Sequence, residues 1–120
     1  MKISGNMSKY NKKISFFEIL SQIPSNHEDW YIFECDAVGK APNNLTMSEF
    51  EDLVLNSKYG YLMSWDELLK FSKGIEDINN LIVVSSTSPV EFEILEKGAE
   101  ALQVRLEIHD STAWEIEFYG

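Results

Sequence analysis

Residues 102–119 read LQVRLEIHDSTAWEIEFY. Leu102, Val104, Leu106 and Ile108 alternate with Gln103, Arg105, Glu107 and His109. Beyond Asp110-Ser111-Thr112, the residues Trp114, Ile116 and Phe118 alternate with Glu115, Glu117 and Tyr119. A period of two is the mark of a strand with one buried face. Folding the stretch back on Ser111 pairs 108 with 114, 106 with 116 and 104 with 118, all apolar. The same fold pairs 107 with 115, 105 with 117 and 103 with 119, all on the opposite face. One register satisfies both sets, so a C-terminal antiparallel hairpin is predicted. Asp-Ser-Thr is turn chemistry, because these side chains bond nearby backbone N–H groups.

The same stretch contains His109-Asp110-Ser111, the residue types of a hydrolytic triad. Triad members meet through tertiary geometry, whereas neighbours on a strand point to opposite faces. Ser111 also lacks the G-x-S-x-G elbow. The three residues are therefore predicted to be a turn and not a catalytic site.

Working outward, three capping-box patterns open three predicted helices: Ser15 with Glu18, Thr46 with Glu49, and Ser64 with Glu67. The first carries Phe16, Phe17, Ile19, Leu20 and Ile23 and stops at Pro24. The second carries Phe50, Leu53 and Val54. The third carries Trp65, Leu68 and Leu69 and ends at Gly74. Trp30 to Val38 is rich in aromatic and β-branched residues and reads as a strand, with Tyr31, Phe33, Cys35 and Ala37 as its core face. Tyr61 to Met63 is a very short strand or a loop. Leu81 to Ser85 is a strand buried on both faces. Residues 89–98 admit two readings. Pro89 suits the first turn of a helix ended by Gly98, with Phe92, Leu95 and Ala99 on one side. The alternation of Phe92 and Ile94 with Glu91 and Glu93 suits a strand. The sum is an α+β domain, with a three-layer α/β domain as the alternative. It has a mixed sheet of about four strands, ending in the hairpin, and three to four helices.

The chain has 120 residues, enough for one domain with a real core. Residues 1–12 are polar, lysine-bearing and non-periodic, so they are expected to be a flexible basic arm. Residues 13–120 form the globular domain. Trp30, Trp65 and Trp114 are expected at core edges. The net charge is −10 and is unevenly spread. Residues 1–27 hold four Lys against one Glu, or +3. Residues 28–120 hold six Lys or Arg against 19 Asp or Glu, or −13. Such a body repels nucleic acid and anionic lipid and attracts basic proteins. No apolar run approaches membrane-spanning length, no signal peptide is read, and one cysteine excludes an internal disulfide. A cytoplasmic location follows as an expectation.

Cofactor and metal sites are not expected. There is no phosphate-binding glycine motif and no H-E-x-x-H, because Tyr31 stands where the second histidine would follow His27. Cys35 sits between Glu34 and Asp36, which raise a thiol pKa, so it reads as a core residue. A general acid–base carboxylate pair would need a deep pocket to select it. In the hairpin register Glu107 faces Glu115, with Glu117 close by. Like charges directly opposite destabilise a sheet, and such local conflict points to function. Glu107, Asp110, Glu115, Glu117 and Tyr119 are thus the candidate partner-binding residues. The hairpin edge could also pair with a second copy of the chain.

The size, acidity and α/β layout, with the stretches MSWDELLKF (63–71) and HDSTAWEIEF (109–118), resemble the small acidic immunity proteins of bacterial toxin–immunity systems. The resemblance implies a protein without enzymatic activity that neutralises a cognate toxin, often a basic nuclease domain, through an acidic surface. The alternative class is a small regulatory or adaptor module, including a DNA mimic.

Overall fold

The computed structural model describes residues 1–9, 11–95 and 100–119. The elements in chain order are β1 (Lys2–Asn6), β2 (Ser8–Lys9), β3 (Lys12–Lys13), α1 (Phe16–Leu20), β4 (Asp29–Gly39) and α2 (Met47–Leu55). There follow β5 (Tyr61–Ser64), α3 (Trp65–Lys73), β6 (Ile75–Ser86), α4 (Phe92–Leu95), β7 (Leu102–His109) and β8 (Ala113–Phe118). The fold is α+β. Among the described residues the main sheet has six strands in the order β1-β8-β7-β6-β4-β5, and β2 pairs with β3 in a small separate ribbon.

The sheet is antiparallel at every pairing, whereas a mixed sheet of about four strands was expected. Two of the added strands are short edge strands with weak strand composition. β1 (KISGN) and β5 (YLMS) take their conformation from the strand beside them.

The hairpin forms in the predicted register: Val104 opposite Phe118, Leu106 opposite Ile116, Ile108 opposite Trp114, and Glu107 opposite Glu115. Asp110 and Ser111 turn the chain at φ +49° and +59°. Thr112 N–H closes the turn on the His109 carbonyl at 2.9 Å. The Ser111 N–H donates to the Asn79 carbonyl, and its hydroxyl bonds the Asn79 side chain. Ser111 therefore fastens the turn to β6, and its hydroxyl is engaged there.

All three predicted capping boxes are present, with both reciprocal hydrogen bonds in each. α2 buries Phe50 and Val54 but leaves Leu53 exposed. α3 buries Trp65, Leu68 and Phe71 and is capped by Gly74. Of residues 89–98, Phe92–Leu95 is helical; the expected positions of Gly98 and Ala99 lie outside the described residues.

Three expectations are corrected. First, β4 has no single core face. Trp30 and Ile32 join the larger apolar cluster, and Tyr31 and Phe33 join a second cluster on the opposite face. A β-bulge between Ile32 and Glu34 adds one residue, so Cys35 crosses to the side of Trp30. Second, Trp30, Trp65 and Trp114 are all buried, not core-edge residues. Third, residues 2–7 of the expected arm 1–12 are not free. β1 pairs with β8 from Lys2–Glu117 to Asn6–Ala113, and Met7 is 1% exposed. Gly5 lies under the Trp114 ring, where a Cβ would approach to 2.8 Å. That glycine lets the indole close over the edge strand. Because β1 covers β8, the hairpin edge is not free to pair with a second copy.

The larger cluster lies between the sheet and the three helices α1, α2 and α3. On the second face, Val90, Leu95 and Leu102 cover Tyr31, Phe33, Ile82 and Val84. Among the described residues helix cover is thus unequal, since α4 is the one helix that lies with the second cluster. Burying side chains of this size contributes about 1.5–3 kcal/mol each.

Candidate partner-binding surface

The polar set of the hairpin projects from the second face. Glu107 is 8% exposed, and Glu115, Glu117 and Tyr119 are half-buried. Arg105 lies among them. Its Nη2 donates to Glu107 Oε1 at 3.0 Å, and its Nη1 donates to the Leu95 carbonyl at 3.0 Å. Lys2, opposite Glu117 in the β1–β8 register, reaches Glu117 Oε2 at 3.4 Å. The Lys2 pKa is raised by Glu117 first and by Glu115 next. Tyr119 packs against the second cluster, and its pKa is raised by burial and then by Glu117. Asp110 stands apart at the exposed turn, its N–H donating to Asn80 Oδ1 at 3.1 Å.

The structure therefore gathers Glu107, Glu115, Glu117 and Tyr119 on one face and leaves Asp110 at the tip. It also neutralises much of that face. Glu107 is bound by arginine and Glu117 by lysine, so Glu115 is the acid of the three without a bonded cation among the described residues.

A denser acidic feature lies elsewhere. Beyond Ile32, the outer edge of β4 is no longer paired with β5, and α2 lies along it. The groove between them is lined by Glu34 and Asp36 from β4 and by Glu51 and Asp52 from α2, beside Ser48, Asn80 and Leu55. Among the described residues, no Lys or Arg forms an ion pair with these four carboxylates. The Ala37 N–H of the open edge favours the charged form of Glu51. Its pKa is nevertheless raised, by burial first and then by Asp36. Leu55 is 74% exposed at the rim. The alternation of Glu34 and Asp36 on a strand and the adjacent acids on a helix were legible separately. What was missing was their meeting, which depends on where α2 docks.

Cys35 points beneath this groove into the core. Burial, with Glu51, Asp36 and Glu34, pushes its thiol up to about 12, so it is protonated at neutral pH and is no nucleophile. The carboxylate with a raised pKa, Glu51, lines this open groove, not an enclosed pocket. A cavity of about 330 Å³ lies between the loop after β4, β5 and α3. Lys40 and Lys70 line it, with Tyr61 and Phe71 as walls.

No helix among the described residues is long and apolar enough to cross a membrane. No family model, curated protein or solved structure matches the chain.

Proposed function

We propose that this protein acts without enzymatic chemistry, in the cytoplasm, by binding a basic protein partner, and that the partner is a toxin domain which it neutralises. The observation that carries this reading is the groove between α2 and β4. Four carboxylates line it without a paired cation among the described residues, and the Glu51 pKa is raised, by burial first and then by repulsion from Asp36. Retaining that repulsion in the free protein is reasonable if a cationic surface relieves it in a complex. Against a nuclease, the carboxylates would stand in for substrate phosphates facing Lys and Arg. The exposed Leu55 adds an apolar contact to the acidic rim. The hairpin acids, already partly neutralised by Arg105 and Lys2, are the secondary part of the surface.

The test begins with recovery of the tagged protein from its native host at moderate salt and identification of what accompanies it. The reading expects a one-to-one complex with a basic toxin domain. A basic partner that is not toxic would favour a regulatory adaptor, and recovery of the protein alone would count against both. With the partner in hand, Glu51→Lys with Asp52→Lys should slow association and flatten its salt dependence. Glu115→Lys with Glu117→Lys should do so less. Kinetics unchanged in both pairs would remove the acidic surface from the account.

A further inference from the structure

We propose that Glu107, His109 and Glu115 form a binding site for a divalent transition-metal cation of the zinc class. Glu107 and His109 are alternate residues of β7, and Glu115 is the cross-strand partner of Glu107 on β8. All three therefore project from one sheet face, and their ligand atoms lie within 4.8 Å of one another. Donors bound at about 2.0–2.2 Å sit roughly 3–4 Å apart around a small cation. Sub-ångström rotamer adjustments of two half-exposed or exposed side chains close that difference.

A second observation concerns Glu107 alone. This carboxylate is 8% exposed, and Arg105 fixes it through Oε1. Its other oxygen, Oε2, accepts no hydrogen bond from any described residue and faces His109 Nε2 at 3.9 Å. A largely buried carboxylate with one oxygen held and the other undirected has the arrangement of a metal ligand oriented by an outer partner. Arg105 offsets one of the two glutamate charges, so the site keeps a net negative charge before an ion arrives. His109, half-exposed at the end of β7, leaves a path from solvent.

One imidazole and two carboxylates suit zinc-class ions better than magnesium or calcium, which prefer all-oxygen shells. Water would complete the shell. The ion would also remove the like-charge conflict between Glu107 and Glu115, the one sheet pair in the hairpin whose chemistry opposes its pairing. The proposal shares Glu107 and Glu115 with the secondary part of the partner-binding surface, but it is read from metal titration of the free chain and so is tested without any partner.

The test uses the full chain, free of affinity tag and stripped of metal. It is titrated with Zn²⁺ by calorimetry and with Co²⁺ by visible absorption. Saturation at a single equivalent is expected. His109→Ala and Glu115→Gln should each weaken binding by about tenfold or more, while His27→Ala, which removes the other histidine, leaves it unchanged. Both ligand positions are solvent-accessible, and circular dichroism checks that each variant is folded. No saturable binding would overturn the site. So would binding that survives both ligand substitutions, or binding lost with His27→Ala.

Discussion

Glu115 lies directly across β7 and β8 from Glu107, and Arg105 donates to only one of the two. The guanidinium and the Glu107 carboxylate are both largely buried, so neither is well screened by water. Removing one member of such a pair costs more than the pair contributes, because the other charge is left unmatched. Arg105→Met should therefore lower unfolding free energy by about 3 kcal/mol in urea denaturation. Adding Glu107→Gln should restore part of that loss. If the double variant were no more stable than Arg105→Met, the buried charge of Glu107 would not be the cause.

Met7 tests whether the N-terminal residues belong to the fold. It is 1% exposed, within the larger apolar cluster, and its carbonyl accepts from Ile14 N–H at 2.7 Å. Met7→Ala should cost about 2–4 kcal/mol by cavity formation. A frayed arm would give no change in the denaturation midpoint.

The capping boxes give a smaller and pH-linked effect. Thr46→Ala and Ser64→Ala should each cost about 1 kcal/mol. Backbone and side-chain hydrogen bonds from Thr46 lower the Glu49 pKa below its ordinary 4.5. A carboxylate with a depressed folded pKa stabilises above its unfolded value, and that contribution is lost as pH falls through the folded value. Thr46→Ala removes the hydroxyl but keeps the backbone N–H that bonds Glu49, so the Glu49 titration should return only part of the way toward 4.5 in carboxylate-resolved NMR, with a partial loss of the acid sensitivity of stability.

Glu51 has the opposite sign. Its pKa is raised above 4.5 by burial, Asp36 and Asp52. Its charge thus opposes folding at neutral pH, and the cost disappears as pH falls from the raised folded value past 4.5. Glu51→Gln should stabilise the protein at pH 7, with an advantage that shrinks on acidification. Urea midpoints across that range check it, and a destabilising effect at neutral pH would mean that the favourable influence of the Ala37 N–H outweighs burial and repulsion.

The sequence by itself determined the features whose cause is local. Alternation on both sides of Ser111 fixed the hairpin register, because a slip of one residue would turn every apolar side chain outward. Ser15, Thr46 and Ser64 marked the helix starts, because a cap is satisfied within three residues of itself. Of the candidate site, the facing of Glu107 and Glu115 followed from that register. Tertiary structure decided the rest. Residues 2–6 carry no periodic signal, and they become a strand only because β8 offers an unpaired edge and Trp114 needs cover. The bulge in β4 moved Cys35 to another face, which no pattern of period two records. Lys2 neutralises Glu117 through a contact across strands, and Glu34, Asp36, Glu51 and Asp52 meet because Phe50 and Val54 seat α2 on the core beside β4. Charge adds up along a chain, but whether it is paired or concentrated depends on distances that only packing sets.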